Sequence, residues 1–294
     1  MVPGRVLLIG NGINNIDSLY TWGDLVNDLV AFVGATRHIR TNDKPFPLLY
    51  EEIVAHAVRS GCCGESEVKA HVAGLVERFQ PNEIHRRIMG LGLKNILTTN
   101  YDYTLERATG LKDRQVPSNS GVVKENLYSL FRVARIGRTQ VWHIHGERHS
   151  SQSIALGYEH YSGYLQRMRN YVVMGTEQAY RRSFDSLERR LRQHAVRFES
   201  WVDFFFAQNI YIIGLSLDFI EMHLWWLLTY RARRKYGKHL RIKNQVTYFY
   251  PNTLESKIRG KLELLQASDV VVSRVACRAN DWRSYYHRIL DKIG

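Results

Sequence analysis

Asn95-Ile96-Leu97-Thr98-Thr99-Asn100-Tyr101-Asp102 reads as a short apolar strand that ends abruptly in polar side chains. The same arrangement recurs along the chain. Val6–Ile9 runs into Gly10-Asn11-Gly12-Ile13-Asn14, and Ile210–Ile213 into Gly214-Leu215-Ser216. The run Gln140–Ile144 carries His143-Ile144-His145-Gly146 at its end. A parallel α/β sheet binds its ligand in the crevice outside the carboxyl ends of its strands. Four polar motifs at four strand ends therefore predict an α/β fold with a Rossmann-like, doubly wound, mainly parallel sheet, and one crevice that gathers all four.

The stretches between these strands carry helical patterns. Leu25, Val26, Leu29, Val30 and Val33 fall near helical spacing, and 47–90 holds at least two helices split by Ser60-Gly61-Cys62-Cys63-Gly64. Leu127–Val133 reads as a strand that turns at Ile136-Gly137 into Gln140–Ile144. Phe184, Leu187, Leu191, Phe198, Trp201 and Phe205 make one apolar stripe, which predicts a single long helix. Asp218 is a candidate N-cap for a helix over 219–235. Two more strands, Val246–Tyr250 and Val270–Val275, precede a closing helix Trp282–Ile293. The expected layout is one domain over 1–294. Its core lies at about 1–30, 91–155 and 209–294, with helical insertions at about 31–90 and 156–208.

Composition narrows the function classes. At 294 residues and 45% hydrophobic content, the chain has enough apolar material for a large folded core. No run of about 18 apolar residues is present, so no membrane-spanning helix is expected. The first residues lead straight into a strand without a signal-peptide pattern. Three cysteines, Cys62, Cys63 and Cys277, argue against a disulfide framework and for a reducing, cytoplasmic setting. The net charge of +13 favours anionic partners, and Lys and Arg crowd into 181–197 and 231–241. A solvated helix face accounts for these runs better than a nucleic-acid surface, since no nucleic-acid-binding motif accompanies them. Weak, sequence-independent DNA affinity is the expectation. Self-association through the helical segments is expected too, with Trp201 and Trp226 as candidate anchors.

Each motif admits a plain structural use beside a chemical one. Gly10–Asn14 lets a backbone approach a pyrophosphate at a helix N-terminus, or simply makes a tight turn; Asn15 stands where G-x-G-x-x-G has its last glycine. Asn100 and Asp102, two apart on extended chain, can enter one pocket, or Asp102 can cap the helix after it. His143 and His145 share a strand face. A His-x-His pair can bind metal, but no carboxylate or cysteine at ligand spacing joins it apart from Glu147. No metal site is assigned.

The ordered set Gly10–Asn14, Thr98–Asp102, His145-Gly146 and Gly214–Ser216 resembles the Sir2 (sirtuin) family, in its bacterial Sir2-like branch. The likeness runs over about residues 5–251. It includes Leu156-Gly157-Tyr158-Glu159-His160-Tyr161 and Leu224-Trp225-Trp226-Leu227-Leu228. The two Cys-x-x-Cys pairs of the zinc ribbon in deacetylating sirtuins are missing. The resemblance implies NAD as substrate and His145 as catalytic base, with Asn100 and Asp102 beside it. Gly10, Asn11, Gly12, Ile13, Asn14, Thr98, Thr99, Gly146, Gly214 and Ser216 would contact the cofactor, and His143 would be structural. It implies an NAD glycohydrolase releasing nicotinamide and ADP-ribose, of the kind associated with antiphage defence by NAD depletion. Such an enzyme would be a homo-oligomer or respond to an activating sensor protein. A protein deacylase or ADP-ribosyltransferase, and a non-enzymatic nucleotide-sensing module, are the alternatives.

Overall fold

The computed structural model describes residues 3–18, 20–176, 183–237, 240–278 and 281–294. Arg181 and Arg182 of the first basic run, and Lys238 and His239 of the second, lie outside them. Seven strands form one sheet in the order β3-β4-β2-β1-β5-β6-β7. They are β1 (Arg5–Ile9), β2 (Asn95–Thr98), β3 (Ala134–Ile136), β4 (Thr139–His143), β5 (Asn209–Ile213), β6 (Val246–Pro251) and β7 (Val270–Val275). Every pairing is parallel except the β3–β4 hairpin at one edge. The α/β, doubly wound reading of the sequence is what the chain adopts.

Val6–Ile9 of β1 are all buried, and successive side chains enter opposite cores, as a strand covered on both faces requires. Val6 and Leu8 face a core shared with α6 (Tyr158–Arg169), α8 (Trp201–Ala207), α9 (Met222–Tyr236) and α10 (Arg259–Ala267). Leu7 and Ile9 face the opposite core, built with α4 (Glu83–Gly90), α5 (Thr104–Arg107) and α11 (Trp282–Ile293). The helices α1 (Trp22–Phe32), α2 (Phe46–Arg59) and α3 (Glu65–Val76) bury a third cluster among themselves, joined to the rest through Tyr101, Ile154 and Leu156. Segment 31–90 is thus divided, because α4 packs on the sheet. Segment 156–208 is less an insertion than one of the sheet's covering layers.

Four local expectations are corrected. Leu127–Val133 is not a strand: its backbone groups bond elsewhere. The Leu130 carbonyl accepts from Trp201 N and Ser200 Oγ, and the Val133 carbonyl from Ser120. The stripe from Phe184 to Phe205 is not one helix. It is split between α7 (Leu187–Arg192) and α8, with His194 and Phe198 at positive φ between them. Ser200 starts α8 afresh, its Oγ accepting from Val202 N while Asp203 accepts from Ser200 N. Asp218 is not the cap of α9; Glu221 occupies that position, and its carboxylate accepts from the Asp218 backbone N–H. Trp201 is 0% exposed, with its indole N–H on Ser129 O, so it cannot anchor self-association. Trp226 is half-buried and stacks on Tyr230.

Candidate functional site

The carboxyl ends of β2, β1 and β5 are neighbours, and the loops that leave them interlock. Gly12 N donates to Gly214 O at 2.8 Å, and Thr99 N to Ile9 O at 3.1 Å. A Cβ on Gly12 would lie 2.6 Å from Tyr286 Oη and 2.9 Å from Gly214 O, so glycine is the residue that lets these two loops touch. The Gly10–Asn14 segment itself winds into a 3-10 turn, Asn11–Ile16.

Beyond these ends lies a cleft of about 370 Å³, within the range of small-molecule sites. The motifs supply Asn11, Gly12, Thr99, Asn100, Asp102, His145, Gly214 and Ser216 to its wall. Tyr20, Trp22 and Phe79 close it from the helical side, and Tyr161, Asp218 and Glu221 from the other. Among the described lining residues none is Arg or Lys.

The other motif residues do not line the cleft. Ile13 is packed in the core below the loop. Thr98 bonds Ile9 O and the Asn100 N–H. Asn14 is buried and links Asp102, His85 and Asn11 through its side chain. Gly10 meets the 213–215 turn closely, its N–H on Ile213 O. Gly146, at φ 97°, takes the chain out of β4 where a Cβ would fall 2.2 Å from Ser153 O. These five support the wall from behind.

Asp102 is held at both oxygens. One accepts from Thr104 N at 2.9 Å, the other from Asn14 Nδ2 at 2.8 Å. The first contact is the Asx-type bond expected ahead of a helix. The carboxylate still borders the cleft, so its structural and chemical uses coexist. His143 takes the structural place: its ring bridges Asn100 O and Glu106 Oε1, at 3.1 and 2.7 Å. Burial opposes charge on this ring, but the Glu106 carboxylate prevails and lifts it to about 9. The charged pair fixes the Asn100 backbone at the cleft.

His145 is of opposite character. It is 2% exposed, and burial alone pushes it down to about 3, so the ring is neutral at working pH. Its Nε2 lies 2.8 Å from Nε2 of His223. Burial pushes Glu221, two residues before, up to about 8. Neither Glu221 nor His223 follows from motif reading, because they sit where an ordinary apolar helix begins. The one sequence signal is a pair of polar residues, Glu221 and His223, breaking that helix's first turn soon after Gly214–Ser216. Among the described residues no group of three or more His, Cys, Asp or Glu is placed to hold a metal ion, and no helix is long and apolar enough to cross a membrane.

Residues 94–200 match the family model of the SIR2-like domain. The match includes Thr98–Asp102 and His145-Gly146, and leaves Gly10–Asn14 and Gly214–Ser216 outside it. No curated protein matches the chain.

Proposed function

We propose that the chain is a Sir2-like enzyme that hydrolyses NAD to nicotinamide and ADP-ribose. The observation that carries this reading is the meeting of Asn100, Asp102, Ser216 and a neutral, buried His145 at the carboxyl ends of adjacent parallel strands. The SIR2-like match over 94–200 supports it.

The chemistry suits the cleft. Nicotinamide leaves with the electron pair of its C–N bond, and the ribose becomes oxocarbenium-like. A wall with Asp102 and Asp218 and no described Arg or Lys favours such a developing cation over an anion. Asn100 and Ser216 offer hydrogen bonds to ribose or phosphate oxygens. Water adds to the cation, and a neutral imidazole such as His145 can take the released proton. The helices α1 and α3 and the Phe79 that follows them crowd the cleft's outer side, which leaves room for water more readily than for a peptide acceptor.

The reading extends to an effector of antiphage defence in the cytoplasm, working as a homo-oligomer or with an activating sensor protein. A base as enclosed as His145 fits an enzyme that needs a trigger. Purified protein incubated with NAD, with products resolved by chromatography, tests the reaction. Equimolar nicotinamide and ADP-ribose are expected without any acyl-peptide. Strict dependence on an acetyl-lysine peptide would establish the deacylase instead, and NAD binding without products would leave a sensing module.

A further inference from the structure

His145 makes one side-chain hydrogen bond among the described residues, and the partner is a second imidazole. His223 is the second residue of α9, two positions beyond the Glu221 cap, and is fully buried. Tyr161 stacks on its ring at 5.4 Å and 30°, and Tyr164 packs beside it at 5.6 Å. Tyr161 also meets His145 edge-on at 5.7 Å. Both imidazoles are therefore fixed by aromatic walls and by each other.

A bond between two Nε2 atoms constrains where hydrogens sit. One Nε2 carries a hydrogen and the other a lone pair. Burial drives both rings to the neutral form, and each would repel charge on the other. The N-terminus of α9 adds a positive end beside His223, which also disfavours an imidazolium there. The groups facing the pair do not supply countercharge. Tyr161 and Tyr164 are held protonated by burial. Glu221 is lifted toward neutrality for the same reason. Asp102 and Asp218 are the other carboxyls on the cleft.

With Nε2 of His145 engaged inward, only Nδ1 is left for a ligand. Nδ1 can take a proton only if it bears the lone pair. The hydrogen of the neutral ring must then be on Nε2, donated to His223, whose own hydrogen sits on Nδ1, a buried atom with no hydrogen-bond partner among the described residues. We propose that His223 is the positioning residue of the base: by accepting at its Nε2 it selects the His145 tautomer with a bare Nδ1. This inference rests on the NAD-hydrolase reading for the identity of the substrate. His223 then occupies the place that a carboxylate holds behind the histidine of a catalytic triad. A neutral acceptor stabilises imidazolium less than a carboxylate does, so His145 remains a weak base that stays unprotonated through the acid range.

Two substitutions and one spectrum test this. His223→Phe keeps a ring against Tyr161 and removes the acceptor. It should lower kcat by about 10²-fold with KM within twofold, less than the ~10⁴ that a wrong tautomer costs a serine-protease triad. His223→Glu should restore turnover but introduce an acid limb, with activity falling as pH drops toward the new, higher pKa of His145, where wild type stays flat. Unchanged kcat in His223→Phe together with a lower melting temperature would make His223 a packing residue and overturn the proposal. If wild type does not cleave NAD, the reaction assigned above fails, yet ¹⁵N NMR of the intact protein still decides the pairing. The expected spectrum shows His145 protonated at Nε2, His223 protonated at Nδ1, and both neutral at pH 5. A His145 protonated at Nδ1 would refute the assignment.

Discussion

The cavity at the amino ends of the strands holds about 600 Å³, against about 370 Å³ for the cleft at their carboxyl ends. The larger one is basic: Arg5, Lys94, Arg135 and Arg197 line it, with Glu199 as its one described carboxylate, beside Trp142 and Phe198. The smaller has three carboxyls and no described Arg or Lys. Helix dipoles account for both signs. In a parallel α/β sheet helices end where strands begin, and the C-termini of α4 and α8 close on the basic cavity at Gly92 and Gln208. The Glu221 cap of α9 and the Thr21 cap of α1 border the acidic cleft. Cations suit the first environment and carboxylates the second. Size and charge therefore do not identify the site. What separates the two is burial: the four cations below are exposed, whereas Asp102, His145 and Glu221 above are buried, and burial has moved His145 and Glu221 far from their ordinary pKa values.

Mutating one end at a time gives the largest expected contrast. His145→Ala and Asn100→Ala should each cut NAD turnover by about 10²–10⁴-fold with a melting temperature near wild type. Lys94→Ala and Arg135→Ala should leave turnover within a factor of two. Loss of activity in the lower variants, read as nicotinamide release, would mean the two ends are coupled or the wrong cavity carries the chemistry.

A smaller effect probes how the upper end is assembled. Gly12→Ala sets a methyl against Tyr286 and Gly214, an overpacking that typically costs about 1–3 kcal/mol. It should lower both the denaturation midpoint and the turnover, because the same loops form the cleft wall. An unchanged midpoint would show that the two loops are free to separate.

His143 gives a pH signature behind the upper cleft. Its folded pKa of about 9 lies above its ordinary value of 6.5. Its stabilisation is therefore complete below pH 6.5 and is lost as pH rises through about 9. The stability gap between wild type and His143→Gln should be widest below pH 6.5 and shrink toward pH 9, as read by denaturant titration. A gap that is constant with pH would mean that His143 is not charged against Glu106. The smallest effect concerns the lower end and the basic helices: DNA binding should be weak and vanish by physiological salt. Affinity surviving about 200 mM salt would turn the basic cavity into part of a nucleic-acid surface.

The strand ends were legible because period and composition change together there. Val6–Ile9 to Gly10, and Ile210–Ile213 to Gly214, are breaks in pattern that local chemistry alone enforces. Glu221 and His223 were not legible, since their meaning arises only when α9 meets the segment just after β4, where His145 lies 78 residues before His223. The stripe through Phe184 and Phe205 misled because apolar spacing carries no information about φ; His194 and Phe198 break the helix while the stripe continues in three dimensions. Leu127–Val133 misled for a related reason. A buried apolar run satisfies its backbone with the start of α8 as well as with a neighbouring strand. In Gly10–Asn14 the glycines serve loop-to-loop contact, so a pattern typical of a phosphate loop was partly a packing pattern.

Strand β1 lies between β2 and β5, so residue 6 pairs with residues 95 and 210. During synthesis its β5-side hydrogen bonds must wait for the chain to reach Ile213, about 10–40 s at roughly 5–20 residues per second. Until then one edge of the most apolar strand is unpaired, and such long-range pairing is slow to form. The Gly12–Gly214 contact and the His145–His223 bond close only after that. A nascent chain thus carries its Asn100 and His145 motifs long before it has a cleft, whose wall is complete only once Glu221 has emerged.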